Sequence, residues 1–519
     1  MNAPPATSSG LALDAPTAEE IVEIGSRDWL DITADEAEGL VPAVSDMLAM
    51  TRALLALQHD EPRKLPTTRA RGRRPTKDED PFNVFARIVS VQERSDGPLA
   101  GRRVGVKDNI DVAGIPTGNA SPTTPYTPSA DAVVVERILA AGAHIVGKLN
   151  MDDYASGATG ETSVHGPPLN PIDPTRSAGG SSGGSGAAVR CGVVEFALGG
   201  DQGGSARIPA SFCGVVALKA THGLIPIHGM THIGHSLDHL CPMASSVEDT
   251  AVLLGVIAGS DWRDPQCAST PRDLSDPIQP LDGRSLRVGL IRESVTPERC
   301  DPQVIANTTG ALSSLEDHGT VEETSVPLWE HGAAITQTIL AFIAGAMIRS
   351  EGEGRDHFGL INAERFESFA KKRRTEGALF PPYIKTWLLA SRYMEERHSA
   401  LPYATLHNLR LTLSRSLDDA LSRYDVLITP TTPTTAPPLL GSDAGAVDVV
   451  RRVLNSAPYN TAPLNLSGHP ALAVPSGSDA SGMPTSVQVI GRRFDESLVL
   501  SVGRAIEDSI TERNGAISS

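Results

Sequence analysis

From about residue 100 onward, this chain alternates short apolar runs with helical stretches, and this alternation limits the folds that it can adopt. Apolar runs with the length of buried strands lie at residues 104–106, 144–146, 196–198, 215–218, 286–291, 426–428, 472–474 and 487–490. Apolar residues at helical spacing lie between them, for example at residues 132–141, 246–258 and 497–509. Strands that alternate with helices build a sheet that is covered on both faces. The sequence therefore predicts an α/β fold with a mixed, largely parallel central sheet.

The N-terminal part of the chain has a different pattern. Two capping boxes, which begin at Thr17 and Thr33, each predict the start of a helix. A segment rich in Pro, Arg and Lys at residues 60–80 predicts a linker. The predicted division is a disordered N-terminus (1–16), a helical N-terminal region and linker (17–80), a catalytic domain (81–510) that contains a helical insertion or lobe (330–424), and a flexible tail (511–519).

The chain is acidic, with a formal net charge of −17. An acidic surface repels nucleic acid and anionic membranes unless a separate basic patch is present. Basic residues cluster at residues 63–77 and 371–374, but charge runs of this kind are usually solvated linkers or helix faces. We therefore expect neither a nucleic acid nor a membrane as a partner.

Cysteine usage and sorting signals indicate the compartment. The five cysteines are odd in number and have no C-x-x-C spacing, which disfavours a disulfide framework or a structural zinc site. The N-terminus lacks the basic region and apolar core of a signal peptide. No stretch reaches the ~18 apolar residues of a membrane-spanning helix. We expect a soluble, cytoplasmic protein.

A glycine- and serine-rich stretch at residues 177–207 is the most unusual part of the sequence, with ten glycines between positions 179 and 205. Glycine permits a close approach of the backbone to a ligand, and free N–H groups in such turns bind anions. A phosphate-binding loop would need a lysine after the glycines, and none follows. The G-x-S-x-G pattern at residues 180–184 fits a nucleophile elbow poorly, because a proline-broken loop precedes it where a strand is required.

A third interpretation places a nucleophile at Ser205, which follows a predicted strand and a glycine turn. The backbone N–H groups of Gln202, Gly203, Gly204 and Ser205 could then form an oxyanion hole, which is a large stabilising contribution in acyl transfer. This interpretation predicts a serine hydrolase that forms an acyl-enzyme.

A serine hydroxyl needs a base, and fourteen histidines are available for this role. Lys107 is a further candidate because it ends a strand that is predicted to be buried. Burial of an ammonium group lowers its pKa and leaves some neutral amine that can accept a proton. A lysine at a strand end that lies on the surface is the alternative interpretation.

Five segments together resemble the amidase signature family, over roughly residues 85–510. They are VGVKDNIDVAGIPTGNAS (104–121), AGGSSGGSGAAV (178–189), GGDQGGSARIPASFCGVVALKATHG (199–223), SLDHLCPMASSVEDTA (236–251) and NTAPLNLSGHPALAVP (460–475). Each segment alone is a weak signal. The order and spacing of the lysine, the double serine and the Gly-Gly-Ser make the combination specific.

The resemblance implies roles for individual residues. Ser205 matches the acylating nucleophile, Ser181 matches the bridging serine that follows a cis peptide bond, and Lys107 matches the base. In this mechanism Lys107 accepts the proton of Ser181, Ser181 accepts that of Ser205, and Ser205 attacks the amide carbonyl. The reversed relay then protonates the departing nitrogen, and no cofactor is needed. The residues that orient this triad are implied to be Ser182, Asp201 and Arg207.

One position within the family pattern suggests a subgroup. Gln202 stands where many members have threonine, and this variant, the helical N-terminal extension and the length resemble amidases that accompany nitrile hydratases. Ala206 and Ala220 stand where the pattern usually has isoleucine and proline, so the chain departs from the family pattern at two further positions.

The resemblance leads us to expect an amidase that converts a small-molecule carboxylic amide to the acid and ammonia or an amine, with a homodimer as a possible assembly. A first alternative is a hydrolase of a carbamate, hydrazide, anilide or cyclic amide, because the same triad serves all of these. A second alternative, of a different class, is a partner-dependent glutaminase-like subunit of an amidotransferase.

Several other residues invite functional interpretations. Five histidines lie within residues 222–239, but Gly229 and Gly234 argue against a helix that would present a zinc site. We expect loops beside the active site and no metal, with His239 in a turn. Cys213 is expected to be a small buried apolar residue. The remaining candidates, Asn460 and Asn465, are explained either by pocket lining or by turn capping.

Overall fold

The computed structural model of the protein describes residues 13–57, 64–65, 68–123, 125–267, 274, 277–281, 285–350, 359–441, 443–454 and 458–517. The chain divides into two units, Met1–Lys64 and Leu65–Ser519.

The first unit contains two helices, α1 (Ala18–Arg27) and α2 (Ala34–Leu55). Both predicted capping boxes are confirmed: the hydroxyl of Thr17 accepts the N–H of Glu20, and that of Thr33 accepts the N–H of Glu36. Apolar side chains remain exposed on this unit, among them Trp29 at 82% exposure. The predicted disorder of residues 1–16 falls mostly outside the described residues.

A sheet of eleven strands forms the centre of the second unit, in the order β1-β3-β2-β4-β6-β5-β10-β11-β9-β7-β8. The strands are β1 (Phe85–Val91), β2 (Arg103–Lys107), β3 (His144–Leu149), β4 (Phe196–Asp201), β5 (Val216–Lys219), β6 (His239–Ala244), β7 (Leu286–Ile291), β8 (Gly319–Thr324), β9 (Val426–Pro430), β10 (Ala471–Ser478) and β11 (Pro484–Ile490).

The pairing of the strands is mixed, with a parallel part towards each end of the sheet. Strands β3, β2 and β4 run parallel, as do β9, β7 and β8. The other neighbours pair antiparallel, including the hairpin β10–β11 in the middle of the sheet. The predicted mixed α/β sheet is confirmed, but it contains more antiparallel pairing than the sequence predicted.

Helices cover the sheet. The other α-helices of the described residues are α3 (Val133–Ala140), α4 (Gly183–Arg190), α5 (Arg207–Cys213), α6 (Val247–Ile257), α7 (Pro302–Ser313), α8 (Gly332–Arg349), α9 (Ala363–Thr375), α10 (Pro382–His398), α11 (Leu401–Arg423), α12 (Ala446–Leu454), α13 (Ala462–Ser467) and α14 (Glu496–Ile517). Short 3-10 helices lie at Asp153–Ala155, Arg292–Val295, Glu316–His318, Trp329–His331 and Gly377–Leu379.

Successive side chains of a strand point to opposite faces of a sheet, and both faces of this sheet are buried. In β5, Val216 and Leu218 belong to a core cluster that also holds residues of α3, α6 and α14. The intervening Ala217 belongs to a second cluster with residues of α4 and α5. The prediction of helices on both faces is therefore confirmed.

A third apolar cluster is built by helices of the predicted 330–424 lobe, with residues of α8, α9, α10 and α11. Within this lobe, Trp329–Arg349 is long and apolar enough to span a membrane by length and composition alone. However, 56% of its apolar 18-residue window is buried, and α8 packs against α10, α11 and α13. This helix is therefore part of the core of the lobe.

Some predicted boundaries are corrected. Residues 68–80 are not a free linker, because the backbone of Arg73 pairs with Ile88 of β1 and Arg69 forms an ion pair with the buried Asp131. The predicted flexible tail from residue 511 is helical as far as Ile517. The strands β1, β6 and β8 had no predicted counterpart, and His239 begins β6 where a turn was expected.

Candidate active site

Lys107 and Ser181 meet at the carboxyl end of β2. Lys107 is the last residue of β2, and Ser181 lies in the turn before α4, after a cis Gly180–Ser181 peptide bond that confirms the prediction. The Lys107 Nζ lies 2.8 Å from the Ser181 Oγ. Lys107 is fully buried, which confirms the expectation for this strand end. Burial lowers the pKa of Lys107 to about 8, so some neutral amine is present near neutral pH.

Ser205 lies close to the same turn, after β4. The backbone N–H of Ser182 donates to the carbonyl of Ser205 over 3.0 Å. The Ser182 hydroxyl donates to the carbonyl of Gly200 and accepts the Gly200 N–H, at 3.0 and 3.1 Å. The double serine is thus attached to the end of β4 and to the residue predicted as nucleophile. This fits the orienting function expected of Ser182.

The turn between β4 and Ser205 requires one correction. The N–H of Gly204 donates to the Asp201 carboxylate over 2.8 Å, so it is not free to bind an oxyanion. The backbone of Gly204 has φ +131°, and a Cβ there would lie 2.1 Å from the Thr461 hydroxyl, which explains the glycine. Gln202 and Gly203 remain the predicted oxyanion donors, and both line the cavity next to Ser205.

Asp201 and Arg207 form a buried ion pair under this turn. The Arg207 guanidinium donates to both carboxylate oxygens, over 2.9 and 3.0 Å. Two of its other N–H groups donate to Asn465 and Gln488. Although burial alone would raise the pKa of Asp201, the Arg207 charge and these hydrogen bonds hold it well below its usual range. Each side-chain nitrogen and oxygen atom of this pair therefore has a hydrogen-bond partner, as a buried charge requires.

Sequence reasoning missed or left open several of these contacts. Asn465 donates to the Asp201 carboxylate and backbone, and so it supports the ion pair and does not line the cavity. Asn460 accepts the indole N–H of Trp329. Gln488 lies 281 residues from Arg207, and no local pattern could link the two. Cys213 is buried as predicted.

Another buried lysine lies just before the histidine-rich segment. Lys219, at the end of β5, lies 3.3 Å from the Nε2 of His239. Burial lowers the pKa of Lys219 to about 7 and that of His239 well below its usual value. The two groups lie beside Asp201, whose charge acts on both. Burial therefore disfavours the charged form of both groups in the core of the sheet.

A cavity opens beside Ser205, and three parts of the chain form its walls. One wall is the loop after β3, one is the turn before Ser205, and one comes from the helices α8, α10 and α12. Two polar side chains on the helical wall are notable: Gln337 Oε1 and Trp387 Nε1 have no hydrogen-bond partner in the described part of the protein. The lining residues are Ala155, Ser156, Gly157, Ala158, Gln202, Gly203, Ser205, Ile208, Ile233, Thr336, Gln337, Leu340, Trp387, Val453 and Pro458.

Comparison with known proteins places this geometry among amidases. A family model described as Amidase matches residues 86–500. A glutamyl-tRNA(Gln) amidotransferase subunit from Halobacterium salinarum is 37% identical over 435 residues, which are 82% of this chain and 99% of the relative. The corresponding protein of Archaeoglobus fulgidus is 38% identical over 418 residues, 80% of this chain and 88% of the relative.

Some solved structures are also similar to this chain. A glutamyl-tRNA(Gln) amidotransferase subunit from Thermotoga maritima has a TM-score of 0.67 and 32% identity, and the match covers 83% of this chain and 88% of that one. A 6-aminohexanoate cyclic dimer hydrolase has a TM-score of 0.67 and 28% identity, with 80% and 86% covered.

These relatives contradict two predictions. The expected stand-alone amidase of small-molecule amides, and the expected absence of a nucleic-acid partner, disagree with relatives that are named as subunits of an amidotransferase for glutamyl-tRNA. The subgroup prediction depended on Gln202, on the helical N-terminal extension and on the length of the chain. Similarity over 82% of the chain is the stronger observation.

Proposed function

The chain belongs to the amidase signature family, and on this premise we propose that it is the amide-cleaving subunit of a tRNA-dependent amidotransferase. It would hydrolyse the side-chain amide of glutamine and release ammonia to a partner subunit that amidates a glutamyl-tRNA. The observation that carries this proposal is the similarity to subunits of glutamyl-tRNA(Gln) amidotransferases, which spans 99% of the Halobacterium relative. The proposal places the protein in the cytoplasm, together with the tRNA.

The site supports amide hydrolysis through an acyl-enzyme. Neutral Lys107 takes the Ser181 proton, Ser181 takes the Ser205 proton, and the Ser205 oxygen forms a bond to the amide carbon. The N–H groups of Gln202 and Gly203 would stabilise the oxyanion. When the C–N bond breaks, the relay returns the proton to the leaving nitrogen as ammonia. Water then repeats the attack and releases glutamate.

The cavity supports a substrate with a polar end. Leu340, Ile208 and Val453 provide apolar walls that suit the methylene groups of glutamine. The acceptor Gln337 Oε1 and the donor Trp387 Nε1 have no partner in the described residues, and a buried polar group without a partner costs about 1–3 kcal/mol. A ligand with an ammonium and a carboxylate group would satisfy both. Free glutamine carries these groups beside its side-chain amide.

Two measurements test the proposal together. The first is ammonia release from glutamine by the purified chain and by Ser205→Ala, with and without partner proteins isolated from the same cells. The second is native mass spectrometry of the protein from those cells, in which we expect bound partner subunits. Ammonia from glutamine in wild type, and none from the variant, is the expected result.

A substrate panel supplies the opposing outcome. Acetamide, propionamide, benzamide, phenylacetamide and a cyclic amide dimer are assayed under the same conditions. Cleavage of any of these with no cleavage of glutamine, in a protein without partner subunits, would overturn the proposal. That result would instead favour a stand-alone hydrolase, such as an amidase that accompanies a nitrile hydratase.

A further inference from the structure

Asp152 is a buried carboxylate that the proton relay from Ser205 to Lys107 does not use. It follows β3, the strand next to β2 and Lys107, and its side chain is fully buried. Its backbone N–H donates to the carbonyl of Ser181 over 3.1 Å. Asp152 therefore contacts directly the residue that would carry the proton between Lys107 and Ser205.

The hydrogen bonds of the Asp152 side chain indicate that it is ionised. Its Oδ2 accepts the N–H of Gly160 at 3.0 Å. Its Oδ1 accepts the N–H and the hydroxyl of Thr162, at 3.0 and 2.8 Å. These partners are all donors, and a carboxylate is an acceptor-only group that suits them. Burial raises the pKa of Asp152, and the Thr162 and Gly160 donors oppose this effect.

Glycines allow the carboxylate to lie against the serine turn. A Cβ on Gly180 would lie 1.9 Å from Asp152 Oδ2, and one on Gly157 would lie 2.6 Å from the same carboxylate. Gly180 forms the peptide bond that precedes Ser181. The Asp152 charge is thus packed against the backbone that orients the Ser181 hydroxyl towards Lys107.

Two other buried carboxylates near the site, Asp201 and Asp108, have cations of their own. Arg207 contacts Asp201 at 2.9 Å, and Lys148 lies 3.4 Å from Asp108. Lys107 is the cation whose charge acts on Asp152. Burial lowers the pKa of Lys107, and among the charges that oppose this effect Asp152 is the largest.

We infer that Asp152 is a positioning residue for the Lys107–Ser181 pair, which it holds through the Ser181 carbonyl and through its negative charge. This inference rests on the roles that the proposed function gives to Lys107 and Ser181. A lysine must be neutral to accept a proton, and a nearby negative charge favours its charged form. Loss of the Asp152 charge should therefore let Lys107 act as a base at lower pH, and should make it a weaker base.

The test is the pH dependence of reaction at Ser205 in the full chain, for wild type, Asp152→Asn and Asp152→Ser. The reagent is a fluorophosphonate, whose phosphorus bonds to the Ser205 oxygen as fluoride leaves, so the readout does not depend on the true substrate. We expect the acidic limb of the rate profile to move down by about one pH unit, and the plateau rate to fall several-fold. Failure of the glutamine assay would leave this measurement interpretable.

Other groups that face Lys107 are controlled separately. They are Asp201 at the end of β4, Asp238 before β6 and Cys241 within β6. Burial raises the pKa of Asp238 to about 7, so titration of Asp238 could also shape the rate profile. The variant Asp238→Asn is therefore measured in parallel, and it identifies any part of the pH profile that arises from Asp238. Thr162→Val removes one hydrogen bond to Asp152 and keeps its charge, so it should slow the reaction without moving the limb.

Each outcome decides the inference. The inference is supported if the acidic limb of the rate profile moves to lower pH in Asp152→Asn and Asp152→Ser but keeps its position in Thr162→Val. A rate that falls at every pH with an unmoved limb would assign Asp152 to loop structure alone. Failure of both Asp152 variants to give folded protein, judged by thermal unfolding, would likewise overturn the inference, because stability would then explain the residue.

Discussion

Two regions meet at Ser205, and they differ in how their polar groups are satisfied. On the side of β4, the buried pair Asp201–Arg207 has its hydrogen bonds filled by Asn465 and Gln488. On the side of the helical lobe, polar atoms of Gln337 and Trp387 have no partner in the described residues. The Asp201–Arg207 pair is complete without a ligand, whereas side chains that line the cavity, Gln202 of the turn included, have hydrogen bonds left for one in the described part of the chain.

This difference suggests a division of labour between the two regions. A satisfied buried network holds groups in one geometry, which the chemical step needs. Buried polar groups without partners discriminate strongly between ligands. A ligand that forms hydrogen bonds with them removes the free-energy cost of their burial, whereas a ligand that cannot do so binds more weakly. We therefore expect changes on the β4 side to affect rate and stability, and changes on the lobe side to affect substrate choice.

The largest expected effect comes from the nucleophile itself. Ser205→Ala should lower kcat for ammonia release by about 10⁴-fold or more, because the acyl-enzyme cannot form. Ser185→Ala is the matched control: this serine lies on α4 in the same glycine-rich stretch and donates to Leu198, away from the cavity. Equal loss in both variants, or full activity in Ser205→Ala, would contradict the assignment of Ser205 as nucleophile.

A change that breaks the ion pair on the β4 side should destabilise the folded protein. Asp201→Asn leaves the buried Arg207 without its counter-charge, which should lower the free energy of unfolding by about 3–5 kcal/mol. Urea unfolding followed by circular dichroism measures this change. The control Asp96→Asn removes the partner of Arg94 from an exposed ion pair and should change the free energy of unfolding only slightly. Similar stability of the two variants would show that the network is not structurally important.

The lobe side should change specificity and leave stability nearly intact. Gln337→Leu removes an acceptor for the ammonium of glutamine, and a hydrogen bond to a charged group contributes about 1.5–3 kcal/mol, so the KM for glutamine should rise about 10- to 100-fold with little change in kcat. Thr338→Val, one residue further along α8 and outside the cavity lining, is the control. An unchanged KM would remove Gln337 from substrate binding and weaken the comparison.

The smallest expected effect is that of pH on the wild-type protein. Because the pKa of Lys107 is lowered to about 8 and only the neutral amine accepts a proton, kcat/KM should rise with pH and level off above this value. At one unit below the pKa, about a tenth of the lysine is neutral, so the rate should be about tenfold lower. A profile that is flat from pH 6 to 9 would contradict the role of Lys107.

The parts of the fold that the sequence predicted are those with a local signal. Apolar runs such as residues 104–106 and 487–490 predicted buried strands, and the capping boxes at Thr17 and Thr33 predicted helix starts. Strand β6 was missed because it contains Pro242, and β8 because it is a polar edge strand with the sequence GTVEET. Their positions depend on neighbouring strands, which local patterns do not reveal.

The same limit applies to the site. The resemblance pointed to Lys107 and Ser181, and the structure places their polar atoms in hydrogen-bond contact. It did not reveal Asp152, because an aspartate after a strand is common and only the packing against Gly180 distinguishes it. The Gly204 N–H was misassigned for a similar reason: its acceptor, Asp201, depends on how the turn closes.

The place of the hairpin β10–β11 has a consequence for the order in which the protein can mature. Residues 471–490 lie between β5 and β9 in the sheet, although they are synthesised after all the other strands of the sheet. Gln488 belongs to this hairpin and Asn465 lies shortly before it. Both side chains complete the hydrogen bonds of the ion pair beneath the Ser205 turn. A nascent chain that already contains Lys107, Ser181 and Ser205 therefore still lacks the supports of its own active site, and it should stay inactive until residues 465–490 have left the ribosome.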